Sequence, residues 1–374
     1  MKRMFRTCAL LAALLLAAAA LAGCAAQDER VAARVGDREI TMQLFKNAYL
    51  NSLTYASIYY DLTTDEGVEA YQDDVINSLI QTEMLLYQAE QAGVTLSEEE
   101  EAEAVADGQA DYDSFYDSFL EQAEQAGATD VRAYANKLLT DTLVSNGMTV
   151  SEAKQSYIDS ARNNMIIEKM QNRIFAEVEP TEEELYDMYE EELQVQKDLF
   201  DESPASYFTY DLYAAYGNNC IPLYIPEGFI RVRQILVEDE ETANELLTRL
   251  MEGEDFETLL NQYNTDPGMA DEANADGYLV GEGANYLEEF LEAALALEND
   301  GDISPVVETT SGFHIIKRLR AERSREIAYD EEKETLDEYF TSLAKSEHYT
   351  EVMDAWMADE SLVTRYEELY RTVR

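Results

Sequence analysis

The sequence predicts an α+β protein: a long helical body interrupted by a small block of short strands and helices. Three observations carry this. From Thr41 to about residue 190, apolar residues recur at helical spacing. Residues 203–228 break that period, with Pro204, Pro222 and Pro226 among Tyr207, Tyr210, Tyr213, Tyr216 and Tyr224. From Phe229, short β-branched runs alternate with short amphipathic stretches, and a helical pattern resumes from about Asp330 to the C-terminus.

Charge bounds the partners. Asp and Glu outnumber Lys and Arg 78 to 27, a formal net charge of −51. That surface repels nucleic acid and anionic lipid, which excludes recognition of a phosphate backbone. The 374 residues are 46% hydrophobic, enough for two or three domains with their own cores and too many for wholesale disorder.

The N-terminus carries Lys2, Arg3 and Arg6, then an apolar Leu/Ala run from Ala9 to Ala22. A spanning helix needs roughly 20 apolar residues, so the shorter run reads as a secretory signal over residues 1–23. Leu21-Ala22-Gly23-Cys24 is similar to a bacterial lipobox. The similarity implies cleavage before Cys24 and a diacylglycerol thioether on it; the alternative is an ordinary signal cut, with Cys24 there by chance. Cys8 leaves with the signal, which makes Cys220 the remaining unmodified thiol and leaves no internal disulfide.

In the mature chain, VAARVGDREIT (31–41) reads as two short extended runs about a Gly36-Asp37 turn, with Thr41 capping the next helix. Within 75–93, Ile76, Leu79, Ile80, Leu86 and Ala89 share one helical face that closes at Gly93. Ser97 with Glu100, and Thr181 with Glu184, form capping boxes. The acidic run over 100–128 reads as a solvated face. Residues 203–228 read as a long connection without a sustained helix. Their tyrosines either pack on the helical body or offer a sticky surface to extended polypeptide. FIRVRQILV then reads as a strand, EETANELLTRLMEG, DFETLLNQYN and LEEFLEAALALEN as helices, and DISPVVETTSGFHIIKRL as two strands joined by a Thr-Thr-Ser-Gly turn. In the last helical stretch Trp356, with Tyr349, Val352 and Met353, reads as core.

Several ordered pieces from Phe229 to about Arg320 resemble the parvulin family of peptidyl-prolyl isomerases. They are the strand Val232–Val237; Gly253-Glu254-Asp255-Phe256; Tyr263-Asn264-Thr265-Asp266-Pro267-Gly268; Gly277 with Leu279; the Glu289-Phe290 helix; Ile303-Ser304-Pro305-Val306; and Gly312-Phe313-His314-Ile315-Ile316. VAARVGDREIT and LIQTEMLLYQAEQAGVTLSEEE are similar to the N-terminal chaperone region of SurA- and PrsA-like foldases. The resemblance implies a helical chaperone region over 24–228 and a parvulin-like domain over 229–320 with a small antiparallel sheet among helices. It also implies a C-terminal segment over 321–374 that packs back on the N-terminal region.

The resemblance also assigns a site. A proline pocket would be walled by Leu279, Tyr286 and Phe290. Its polar floor would hold His314, Asp266 facing the rotating bond, and the hydroxyls of Thr309 and Ser311. The chain has only two histidines. Where the family carries its first histidine this sequence has Gln234, which can hold His314 in one tautomer but cannot titrate. A core role for His314, satisfied by a neighbouring hydroxyl, stays open. The family's Gly-Asp-Leu-Gly is here Gly277-Tyr278-Leu279-Val280. The acidic loop Glu238-Asp239-Glu240-Glu241 would repel a phosphopeptide.

These readings predict a lipid-anchored foldase on the outer face of the cytoplasmic membrane, of Gram-positive type, binding unfolded exported polypeptides and catalysing X-Pro isomerisation. No cofactor, metal or nucleic acid is expected, and a homodimer is left open. The alternative is a non-catalytic holdase whose parvulin-like domain only binds polypeptide, which Gln234 favours. A transporter's solute-binding lipoprotein would need two α/β lobes, whereas the sequence offers one small block.

Overall fold

The computed structural model describes residues 28–145, 147–216 and 220–374. The signal and Cys24 lie outside the described residues. Backbone contacts divide the chain into two units, residues up to 179 with 344–374, and residues 180–343.

The first unit opens with the hairpin β1 (Val31–Val35) and β2 (Arg38–Thr41), turning at Gly36 with φ +57°. Thr41 caps α1 (Met42–Tyr59), its side chain accepting from the Leu44 amide. α2 (Asp65–Gln91) buries Ile76, Leu79, Ile80, Leu86 and Ala89, the face expected, and Gly93 takes up the left-handed conformation just beyond its end. The Ser97–Glu100 box starts α3 (Glu98–Gln125), which packs with α4 (Val131–Ser145) and α5 (Val150–Phe175) around Tyr112, Phe119, Leu139 and Leu143.

The C-terminus completes this unit. α11 (Lys333–Met357) places Tyr349 and Met353 in the core with Phe45, Ile76, Ile80 and Met84, and Trp356 packs at its edge. The sequence pattern predicts helix to the end of the chain, but α11 stops at Met357. Val363–Arg365 forms β9, which pairs antiparallel with β1 and gives a sheet ordered β2-β1-β9. The short α12 (Glu367–Tyr370) then buries Tyr370 beside Phe45, ring centroids 5.4 Å apart. The expected C-terminal return onto the body is thus present as helix, strand and helix.

The second unit begins with α6 (Glu182–Glu202) behind the Thr181–Glu184 box. The connection predicted over 203–228 contains a helix, α7 (Ala205–Ala215). Its start at Pro204 has no side-chain cap, and its buried residues Tyr207 and Tyr210 pack on Phe200 of α6. The two-residue strands β3 (Tyr224–Ile225) and β8 (Arg325–Glu326) pair where the strand-rich block begins and ends.

That block is a four-stranded antiparallel sheet ordered β5-β4-β7-β6, from β4 (Ile230–Val237), β5 (Tyr278–Val280), β6 (Val307–Thr309) and β7 (Gly312–Ala321). One face buries Ile235, Val237 and Ile315 under α8 (Glu240–Met251) and α9 (Phe256–Tyr263). The other buries Val232, Val280 and Ile316 under α10 (Glu288–Leu295), through Phe290 and Ala294. Ser304 fastens β7, its hydroxyl accepting from the Ile316 amide at 2.9 Å.

α7 docks on this block through aromatic contact. Tyr207 and Phe208 lie 5.3 and 4.8 Å, ring to ring, from Phe229. Gly281 makes the approach possible, because a Cβ there would meet the Phe229 ring at 2.4 Å and Phe208 at 3.1 Å.

We expect fragments 180–343 and 229–320 each to unfold cooperatively in urea. Loss of the aromatic cover over Phe229 should make the shorter less stable by about 2 kcal/mol. A featureless melt for 229–320 would move the domain boundary outward.

Candidate functional site

The centre of the site follows from strand register. In the β4–β7 ladder Gln234 pairs with Ile316 and Leu236 with His314, so Gln234 and His314 are diagonal neighbours on one face. Both are buried, at 7% and 4% exposure. The loop after α9 brings Asp266 beneath them. Asn264 pins that loop to β4, its side-chain oxygen accepting from the Leu236 amide at 2.9 Å and its nitrogen donating to the Asp266 carbonyl at 2.9 Å.

One chain of hydrogen bonds crosses the site. Gln234 Nε2 donates to Asp266 Oδ2 at 2.6 Å, and Tyr278 Oη donates to the same oxygen at 2.8 Å. Asp266 Oδ1 accepts from the Gly268 amide at 2.9 Å. A carboxylate only accepts, so the Gln234 amide nitrogen must face Asp266 and its oxygen must face His314. His314 Nδ1 lies 2.5 Å from that oxygen, and therefore carries the ring proton. Nε2 is then an acceptor, and Thr309 Oγ1 donates to it at 2.7 Å. Among the described residues no buried side-chain nitrogen or oxygen lacks a partner.

This pattern keeps the imidazole neutral. Burial lowers the His314 pKa from 6.5, and the charge of Asp266 opposes the shift. Tyr278 is held well above the usual phenol range, first by burial and then by its bond to Asp266.

Aromatic rings line the other side. Phe290 stands edge-on to His314 at 5.6 Å between centroids, Tyr286 lies 5.3 Å from Phe290, and Tyr278 lies 5.7 Å from Tyr286. Since Tyr278 also bonds Asp266, rings and polar groups form one closed circuit.

The predicted residues divide accordingly. Gln234, Asp266, Thr309, His314, Tyr286 and Phe290 meet in this circuit. Ser311 does not bring its hydroxyl to the ring: the residue is exposed, and its backbone amide donates to Thr309 Oγ1 at 3.0 Å. It braces Thr309 instead. Leu279 pairs with Arg231 at the sheet edge and lines a neighbouring cleft of about 320 Å³ with Tyr286 and α7. Two residues were missed as participants. Asn264 enters the sequence reading only as part of a motif. Tyr278 enters the sequence reading only as a departure, although a hydroxyl replacing an acid one position before Leu279 is the available signal.

His314 and His348 are the two histidines, and His348 stands in the other unit near Glu177 Oε2 at 3.4 Å. Two imidazole signals are therefore expected by NMR, with that of His314, identified by its absence from His314→Gln, titrating below 6.5. A folded pKa below the unfolded one means the unfolded chain takes up the proton first as pH falls. The contribution of His314 to stability is thus complete above 6.5 and declines as pH drops through 6.5 towards the folded value. A midpoint above 6.5 would contradict the neutral, desolvated ring.

Comparison with known proteins gives two family matches, a PPIC-type PPIase domain at residues 234–320 and a SurA-like N-terminal domain at residues 1–171. The foldase protein PrsA of Clostridium botulinum is 24% identical over 302 residues, covering 80% of this chain and 75% of its own. The foldase protein PrsA 1 of Listeria monocytogenes is 37% identical over 126 residues, 33% of this chain and 41% of that protein. The crystallised peptidylprolyl isomerase PrsA of Bacillus cereus is 19% identical across 92% of this chain and 99% of its own, at a TM-score of 0.24. That score is too low for the spatial overlap to add to the sequence matches.

Proposed function

We infer the function of this chain from its family: it is a PrsA-type foldase, with a SurA-like N-terminal domain and a PPIC-type peptidyl-prolyl isomerase domain. Our reading is that it binds exported polypeptides outside the cytoplasm and accelerates rotation about their X-Pro bonds. The observation that carries this is the closed circuit from Phe290 and Tyr286 through Tyr278 and Asp266 to Gln234, His314 and Thr309.

The chemistry asks for little. Rotation about the amide faces about 18–20 kcal/mol, set by resonance, and takes tens to hundreds of seconds unassisted. In this reading Phe290 and Tyr286 grip the proline ring by apolar contact. Asp266, held in place by three donors, sets a negative charge beside the amide. A negative group facing the carbonyl oxygen disfavours the charge-separated resonance form that gives the C–N bond its double-bond character. The planar ground state is thereby raised relative to the twisted one. Gln234, His314 and Thr309 need no titration for this task, since they fix the acid and the floor of the site.

The second reading, a holdase whose parvulin domain only binds, is favoured by Gln234. Exchange NMR on short Xaa-Pro peptides separates the two. We expect the mature protein to accelerate exchange and His314→Ala or Asp266→Asn to lose at least tenfold in kcat/KM, about 1.4 kcal/mol of barrier. Exchange no faster than in buffer, restored by Gln234→His, would instead make the chain a binding protein.

We further propose attachment to the outer face of the cytoplasmic membrane through lipid on Cys24. No helix among the described residues is long and apolar enough to cross a membrane. In a bacterial host, labelled palmitate should enter the full chain and be lost in Cys24→Ala. Equal labelling of both would refute the anchor.

A further inference from the structure

The cleft beside the polar and aromatic circuit has a wall that comes from outside the strand-rich block. It holds about 320 Å³ and is lined by Phe208, Asp211 and Leu212 of α7 facing Leu279, Tyr286 and Arg231. Tyr286 belongs to both: its ring packs on Phe290 in the circuit and also lines the cleft. The helix is seated firmly, since Gly281 and Gly283 lie so close to it that a Cβ would meet Phe208 at 3.1 Å and Ala205 at 2.6 Å.

The two charges in this cleft are not equivalent. The Arg231 guanidinium is committed, donating to Glu322 Oε2 at 2.8 Å and to the Gly277 carbonyl at 3.0 Å. Asp211 is exposed at the edge of the cleft and makes no hydrogen bond or ion pair among the described residues. Packing of its neighbours pushes its carboxyl up, and the charge of Arg231 opposes this through space. An acid without a hydrogen-bond or ion partner beside a ring-lined cleft can accept a cation from a segment bound there.

We propose that Asp211 is a specificity-determining residue of the isomerase groove, selecting polypeptide segments that carry lysine or arginine within two residues of the proline. This rests on the reading of Tyr286 as a wall of the proline site. An extended chain advances about 3.3–3.6 Å per residue. A side chain one or two positions from a proline held against Tyr286 therefore reaches the α7 wall. A glutamate placed there meets like charge, while a lysine supplies the partner that Asp211 lacks. The general negative field of the protein acts on all cationic peptides alike, whereas this contact works inside a screening length of about 8–10 Å.

The test uses the mature chain and Xaa-Pro peptides with Ala, Lys or Glu at each flanking position. Turnover is read by exchange NMR and binding separately by fluorescence anisotropy. The unmodified protein should prefer Lys over Glu. Asp211→Asn should lower that ratio at least fivefold, Asp211→Lys should invert it, and Glu252→Gln, an exposed acid at the far end of α8, should leave it unchanged. A Lys preference in binding that Asp211→Asn abolishes, without turnover of any peptide, would uphold this proposal and sink the isomerase reading. An unchanged ratio in Asp211→Asn by both readouts, or an equal fall in Glu252→Gln, would overturn the proposal. Failure of every peptide to bind would overturn it together with the pocket reading.

Discussion

Asp266 accepts hydrogen bonds and cannot donate, and the polar centre takes its orientation from that asymmetry. The carboxylate decides which way the Gln234 amide turns. The amide decides which imidazole nitrogen is protonated, and the ring decides where the Thr309 hydroxyl points. Each member is fixed by the one before it, so a single acid on a loop organises groups on three strands. The β4–β7 register makes this possible by placing Gln234 and His314 diagonally on one face. A one-residue slip in that ladder would put them on opposite faces and dissolve the site.

The aromatic half of the circuit answers to a different force. Phe290, Tyr286 and Tyr278 are held by contact and burial, and Tyr278 joins them to Asp266 by one hydrogen bond. Aromatic packing and hydrogen bonding thus meet at one phenol. Gln234 fits this arrangement because it is a relay with both a donor and an acceptor, properties that a neutral histidine would supply equally.

Much of this was legible in the chain. Thr41, the Ser97–Glu100 and Thr181–Glu184 boxes and Gly93 mark helix ends through backbone chemistry that acts within a few residues. The tight turn between β6 and β7 was equally local. What escaped depends on distant partners. α7 begins at Pro204 without a side-chain cap and is stabilised by Phe200 and Phe229, which no local pattern announces. β9 is three residues long and is a strand only because β1 offers it an edge. Leu279 and Ser311 were placed by resemblance, and each occupies its expected stretch of chain. Leu279 lines the cleft with Tyr286, and Ser311 reaches Thr309 through its backbone amide, because strand edge and turn geometry rather than motif decide where a side chain points.

The pairing of β1 with β9 joins residues 31–35 to residues 363–365. A chain delivered N-terminus first would therefore expose Phe45, Ile76, Ile80 and Met84 long before Tyr349, Met353, Val363 and Tyr370 arrive to cover them. Residues 180–343 face no such delay, since their contacts lie within one continuous stretch. Closing the first unit means shutting a loop of most of the chain, a step whose entropy rises slowly with length but whose kinetics favour finishing the insert first. During synthesis the first unit thus stays unfinished, with apolar surface exposed until the last residues arrive.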